Sequence, residues 1–258
     1  MTPILIITLV SFLAGMTNAM AGGGTFFTFP ALTGIGKLTE QAANVTSTIG
    51  LWPGGAASVV AARKEFSRLP RGMTAAFVVI SLIGGIAGAI LLLATSQRAF
   101  SLLVPWLLAF ATVIFAFSKP IARWAGRQHG QRTRGWTIVV ACVQFIVAVY
   151  GGYFGAGIGI LMLAGLAFAG LDDIHQMNAM KVLLQTVING IASVIFLFSP
   201  MVRWDLAIPM AAASAVGGFV GITVARRMPQ NVLRAVILCV GVVVTALYFA
   251  KNYKLGSG

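Results

Sequence analysis

The sequence predicts an all-α integral membrane protein with two pseudo-symmetric repeats, and three observations predict it. First, 59% of the 258 residues are hydrophobic and only 9% are charged, whereas about a quarter of a soluble domain is charged. Second, the apolar residues form long runs of the length that membrane helices need. Third, one order of segments occurs twice along the chain, so each repeat is predicted to contain a glycine-broken or re-entrant helix and three transmembrane helices.

The first and fifth apolar segments are too long for one crossing, which takes about 20 residues. Each contains a glycine cluster, at 22–24 and at 151–159. Glycine disfavours a continuous helix, and irregular backbone inside a bilayer persists only in protein or beside a wet cavity. The two breaks are therefore the first candidates for a site. The predicted segments are 3–36, 42–62, 73–95, 99–118, 136–170, 175–198, 205–225 and 231–250.

The internal duplication rests on matching positions in the two halves. Asn44 and Asn178 open the second helix of each half, and both third helices carry Gly-Gly-x-x-Gly, for which we favour close helix packing over a ligand site. The predicted units are a first repeat at 1–118, a basic cytoplasmic linker at 119–135, a second repeat at 136–253 and a linker-like tail at 254–258. The glycines are Gly84, Gly85 and Gly88, then Gly217, Gly218 and Gly221.

The basic residues indicate how the halves are oriented. If the broken segments cross once, the halves are parallel with four spans each; if they re-enter, the halves are inverted with three. Arg63, Lys64, Arg68 and Arg71 follow the second helix of the first half, where the second half has only Arg203. The bias reverses in the last loops, with Arg226, Arg227 and Arg234 against Arg98. The positive-inside rule therefore favours inversion.

The net charge of +13 would indicate nucleic-acid binding in a soluble protein. Here the basic residues lie in short loops between apolar segments, so membrane lipid is the expected partner and nucleic acid is not. The N-terminus lacks a basic start and a cleavage site, so we interpret it as part of the first helix. No metal cluster, phosphate loop or nucleophile motif occurs, so neither an enzyme nor a cofactor is expected.

A small anion would find hydrogen-bond donors at the two breaks. Helices restarting at Thr25 and Ile158 would present free backbone N–H groups and a partial positive charge. Gly22, Gly23, Gly24, Gly155 and Gly157 would let an anion approach the backbone closely. The alternative is that these glycines only permit the turn and its packing.

Lys181 is the strongest single candidate, because an ionisable residue inside an apolar helix indicates function. Asn178, Lys181, Gln185 and Asn189 lie on one helical face, and the first half has a neutral stripe of Asn44, Ser47 and Thr48. The alternative is that Lys181 reaches the interface while the amides join helices.

Other polar groups complete the predicted site. Asn18 and Tyr153 flank the two breaks, while Trp52 is predicted to be an interfacial anchor near a span end. All five acidic residues lie in predicted loops or at helix ends, so no carboxylate proton relay is expected. Proton coupling, through the anion itself or through His175, stays open.

The duplicated, glycine-broken pattern resembles the TauE/SafE sulfite exporter family. The matching residues are 21–25, 30–32 and 43–48, then 155–159 and 203–205. The resemblance implies a multi-pass carrier in a bacterial-type plasma membrane for small sulfur-containing anions such as sulfite, sulfonates or sulfoacetate, without fixing the direction. Met180 and Lys181 stand where the family commonly has a Thr-Ser type pair. A passive channel, a membrane-embedded enzyme or an assembly factor, and a homodimer, remain open alternatives.

Overall fold

The computed structural model describes residues 2–20, 22–66, 69–126, 134–171, 173–225 and 230–254, and its regular elements are all α-helices. The predicted all-α class is confirmed for these residues. The helices are α1 Pro3–Met20, α2 Thr25–Gly34, α3 Glu40–Ala61, α4 Arg63–Phe66, α5 Arg71–Ala94, α6 Gln97–Gly126, α7 Arg134–Tyr153, α8 Ile158–Phe168, α9 Ile174–Phe196, α10 Trp204–Ala225 and α11 Gln230–Lys254.

Six of these helices are long and apolar enough to cross a membrane, namely α1, α5, the first part of α6, α7, α9 and α10. Their outer surfaces carry large apolar side chains, such as Ile146 at 65% exposure and Ile208 at 64%. Polar side chains such as Ser81 and Ser214 are fully buried. A lipid-facing apolar surface around a polar interior is what a multi-pass membrane protein requires.

Both predicted breaks are confirmed as interruptions between helices. α1 ends at Met20 and α2 begins at Thr25, while α7 ends at Tyr153 and α8 begins at Ile158. α6 continues to Gly126, beyond the predicted end of its segment at 118. The core of the predicted basic linker, at 127–133, lies outside the described residues, as do Arg68, Arg226 and Arg227.

The Gly-Gly-x-x-Gly motifs pack helices of one half against the other half, as the packing interpretation predicts. A Cβ added to Gly84 would lie 2.6 Å from the Ala148 side chain of α7, and one on Gly85 would lie 2.8 Å from Ile191 of α9. In the second half, a Cβ on Gly221 would lie 2.8 Å from Met16 of α1. α5 therefore packs on α7 and α9, and α10 packs on α1 and α3.

The contacting residues also give the relative directions of the helices. α3 and α9 are antiparallel, because residue numbers fall along α9 as they rise along α3. α3 and α10 run parallel, since Ser58 bonds Gly218 while Ser214 bonds Gly50. Antiparallel α3 and α9 are what inverted halves require, although the repeat itself stays a prediction. The α3–α9 pairs are Thr48 with Ser193, Trp52 with Gly190 and Gly55 with Thr186.

Candidate functional site

The side chain of Asn18 forms a hydrogen bond across the first break. Gly22 adopts a left-handed conformation with φ of 78°, and its N–H donates to the carbonyl oxygens of Thr17 and Asn18 at 3.0 and 3.1 Å. The Asn18 Oδ1 atom accepts a hydrogen bond from the Gly24 N–H at 2.8 Å. The side chain of Asn18 therefore spans the break and fixes where α2 begins.

The second break is built from two left-handed glycines and one tyrosine. Gly155 and Gly157 have φ of 74° and 70°, which an L side chain rarely adopts. The Tyr150 hydroxyl donates to the Ala156 carbonyl oxygen at 2.7 Å. Gly157, the residue before α8, has no side chain, so it cannot cap the start of that helix.

The two breaks touch each other. A Cβ on Gly22 would overlap the Cα of Gly159 in the first turn of α8, and it would lie 2.8 Å from the Gly159 nitrogen. Phe26 in α2 also reaches the second break, since its ring lies 3.6 Å from the Cβ position of Gly157. The two interruptions, more than 130 residues apart in sequence, therefore form one junction inside the bundle.

Lys181 lies against the end of α1, just before the first break, and is fully buried, with 0% of its surface exposed. Its Nζ atom donates to the carbonyl oxygens of Ala19 and Asn18 at 3.2 and 3.5 Å. Both carbonyls belong to the last turn of α1, where the helix dipole is negative. In the described part of the chain these two oxygens are its hydrogen-bond partners, so the Lys181 amine lies buried beside the first break and does not reach the surface of the bundle.

A narrow cavity lies between the end of α1 and the middle of α3 and α9. Within the cavity, the centre of a water molecule can occupy a volume of about 10 Å³. The cavity therefore has room for about one water molecule. None of the described residues around it is acidic. They are Asn18, Ala19, Leu51, Trp52, Gly55, Ser58, Val182, Gln185, Thr186 and Asn189.

The polar groups of the cavity fall into two kinds. The hydroxyls of Ser58 and Thr186 donate to carbonyl oxygens of their own helices, both at 2.7 Å. The indole N–H of Trp52 and the amides of Gln185 and Asn189 have no hydrogen bond to the protein among the described residues. Three donor groups are therefore available to a guest molecule.

The comparisons with known proteins agree with this architecture. The model of the family "Sulfite exporter TauE/SafE" matches residues 7–248. The chain belongs to the TauE/SafE family. A "probable membrane transporter protein ORF9" from Sinorhizobium is 24% identical over 232 residues, covering 90% of this chain and 87% of its own. A "probable membrane transporter protein" from Haemophilus influenzae is 23% identical over 239 residues, covering 92% and 91%.

The neutral stripe of this TauE/SafE protein lies away from the cavity. The Asn44 amide nitrogen donates to the Tyr153 carbonyl oxygen at 2.9 Å, and the Ser47 and Thr28 hydroxyls bond each other at 2.6 Å. The Thr48 hydroxyl donates to the Asn44 carbonyl at 2.9 Å. These groups therefore join α3 to α2, to α7 and to itself.

The other predicted residues divide between the cavity and the helix packing. Asn18 and Gln185 line the cavity, and Lys181 contacts its wall through Ala19. Asn178 is half-buried on α9 outside the cavity lining, and Thr25 is a half-buried residue at the start of α2. The remaining two pack elsewhere: Gly23 lies against Ile237, and the Tyr153 hydroxyl donates to Thr95 at 3.4 Å.

The prediction that Trp52 is an interfacial anchor near a span end stays a prediction, since its side chain is 40% exposed, but Trp52 also lines the cavity. Trp52 lies in the middle of α3, with its indole nitrogen 2.8 Å from the Cβ position of Gly190. Helical spacing could have indicated this, because Thr48, Trp52 and Gly55 share one face of α3. Ser58 and Thr186 are polar cavity residues that the sequence did not single out, and Trp52 is one to which it gave another role.

Proposed function

We propose that this chain is a secondary transporter that binds a small sulfur-containing anion in the cavity between α1, α3 and α9. The observation that carries the proposal is the buried ammonium of Lys181, held against the cavity wall at Asn18 and Ala19. The TauE/SafE family and the two relatives named as probable membrane transporters support transport. The family's name supports a sulfur oxyanion as the cargo.

The chemistry of the cavity suits an oxyanion. An anion that leaves water needs replacement hydrogen bonds, because an uncompensated buried charge costs many kcal/mol. The Trp52 indole and the Gln185 and Asn189 amides supply N–H donors to the same space. Sulfite, sulfonates and sulfoacetate all present several oxygens from one sulfur atom, so they can accept from several donors together.

The charge around the cavity favours anions over cations. Lys181 lies one helical turn before Gln185 on α9, and the cavity lining contains no carboxylate. A buried charge acts through a low dielectric, so it is screened much less than a surface charge. The C-terminal carbonyls of α1 hold the ammonium but carry only a partial negative charge, so a net positive field remains.

The narrowness of the cavity supports alternating access. Space for about one water molecule is too little for a sulfonate, so the helices must separate for the anion to enter. The contact between Gly22 and Gly159 supplies a point about which one bundle can move against the other. The antiparallel packing of α3 and α9 supports inverted halves, an arrangement on which many carriers rely.

The test is anion binding and counterflow with purified protein. Titration calorimetry with sulfite, sulfate, thiosulfate, taurine and sulfoacetate identifies the ligand, and proteoliposomes loaded with it then measure exchange. Lys181→Met is expected to raise the dissociation constant at least about tenfold, since a hydrogen bond to a charged group contributes about 1.5–3 kcal/mol. Lys181→Arg keeps the charge and is expected to retain more of the affinity.

The control is Gln144→Leu, which removes a buried amide of α7 that donates to Ser81 at 2.9 Å, away from the cavity. It is expected to leave the anion affinity unchanged. Wild-type affinity in a folded Lys181→Met protein would remove Lys181 from the site. Ion currents far above the rate of carrier turnover, without accelerated exchange, would identify the protein as a channel instead.

A further inference from the structure

A buried oxygen atom of α3 lies near the C-terminal end of α7. Asn44 is only 1% exposed, and among the described residues its Oδ1 atom has no hydrogen-bond partner. Its Nδ2 atom donates to the Tyr153 carbonyl at the end of α7, so the carboxamide lies against that helix end. Leaving such an acceptor unsatisfied costs about 1–3 kcal/mol, which indicates that a ligand with positive charge or a proton to donate belongs there.

More oxygen atoms surround the same helix end. A Cβ on Gly155 would lie 3.1 Å from the Gly151 carbonyl oxygen and 4.0 Å from the Asn189 Oδ1 atom, and these are the atoms that bound the space beside Gly155. The Tyr153 carbonyl lies two residues earlier in the chain. The last carbonyls of a helix carry its partial negative charge, so all of these groups favour a cation.

The equivalent end of α1 already holds a cation. There the ammonium of Lys181, from α9, lies on the carbonyls of Asn18 and Ala19. At the end of α7 the residue from the other half is Asn44, from α3, which brings an amide and no charge. One broken helix therefore ends on a tethered positive charge and the other ends on neutral oxygen atoms.

We infer that the end of α7 binds a monovalent cation of sodium size, through the Asn44 side-chain oxygen and the backbone carbonyls of Gly151 and Tyr153. The donor set favours a monovalent ion, because the oxygens named belong to amides and carbonyls, whereas Ca²⁺ and Mg²⁺ sites use carboxylates. Interrupted membrane helices bind sodium through such carbonyls and helix ends.

Asn189 connects this cation site to the anion cavity. Its Oδ1 atom faces Gly155, and the same side chain lines the cavity between α1, α3 and α9. A cation that attracts Oδ1 turns the amide nitrogen toward the anion, so each ion strengthens the binding of the other. This coupling rests on the proposed anion function, whereas cation binding alone does not.

The test measures thermal unfolding of purified protein in sodium gluconate and in N-methyl-D-glucamine gluconate at equal ionic strength, with no sulfur anion. Sodium is expected to raise the unfolding temperature of the wild type by about 3 °C or more when saturating. Asn44→Leu removes the oxygen and is expected to abolish this shift. Asn44→Asp adds charge beside the ion and is expected to lower the half-saturating sodium concentration about tenfold or more. Gln144→Leu, a buried amide elsewhere on α7, is expected to keep the wild-type shift.

An equal response to sodium and to the organic cation overturns the inference, because a water molecule would then satisfy Asn44. An unchanged sodium response in Asn44→Leu, or in Asn44→Asp if the leucine variant does not fold, also overturns it. Neither readout needs transport, so failure here is distinguishable from failure of the anion proposal.

Discussion

Replacing Gly22 by alanine tests the junction of the two breaks directly. Gly22 has φ of 78°, and an L residue in the left-handed region costs about 1–2 kcal/mol. The new Cβ would also overlap the backbone of Gly159, and overpacking of this kind costs about 1–3 kcal/mol more. The free energy of unfolding is therefore expected to fall by about 2–5 kcal/mol.

The assay is thermal unfolding of the purified protein, together with anion counterflow in proteoliposomes. For a chain of this size 1 kcal/mol corresponds to about 2–4 °C, so the unfolding temperature is expected to fall by at least about 4 °C. Counterflow is expected to fall further, because α2 and α8 can no longer meet at the junction.

Gly165→Ala is the matched control within α8. Its Cβ would lie 3.7 Å from Val143, an ordinary contact, and alanine favours a helix over glycine by about 0.5–1 kcal/mol. This variant is expected to be as stable as the wild type or slightly more so. If Gly22→Ala behaves like Gly165→Ala in both assays, the two breaks do not touch in the working protein.

Two further predictions concern the cavity and the start of α9. Trp52→Phe keeps the ring but removes the indole N–H, so the anion dissociation constant is expected to rise roughly tenfold or more, while Trp106→Phe on α6 leaves it unchanged; calorimetry measures both. The His175 N–H holds the pKa of Asp173 below its ordinary 3.8, so ionised Asp173 stabilises α9 above that pH and loses this effect as the pH falls through the lowered pKa. The difference in unfolding temperature between the wild type and Asp173→Ala is therefore expected to be full at pH 7 and to narrow below pH 3.8; a constant difference across this range would contradict it.

Local glycine chemistry made the helix interruptions predictable. Runs of glycine inside apolar segments disfavour a continuous helix wherever they occur, so the restarts at Thr25 and Ile158 followed from the sequence alone. The helical face shared by Lys181 and Gln185 was equally local, because it depends only on residue spacing.

The partners of these groups were not predictable, because they come from distant parts of the chain. The sequence paired Asn44 with Asn178 by residue type. In the structure Asn44 contacts the end of α7, and the residue that makes the corresponding contact with the end of α1 is Lys181. Nothing in the spacing of α3 indicates that Asn44 bonds Tyr153, which lies 109 residues further on. The spacing also gives no sign that Trp52 contacts Gly190, which belongs to the other half of the chain.

α5 and α10 each pack against helices of the other half of the chain, and this has a consequence for biosynthesis. The surface of α5 around Gly84 packs on α7, which is synthesised later. The surfaces of α1 and α3 pack on α10, which is synthesised near the end of translation. Until then, these surfaces of the early helices lack their packing partners. Assembly is therefore dominated by contacts between remote segments, which form slowly, and a ribosome that stalls before α10 would leave an intermediate exposed to membrane proteases.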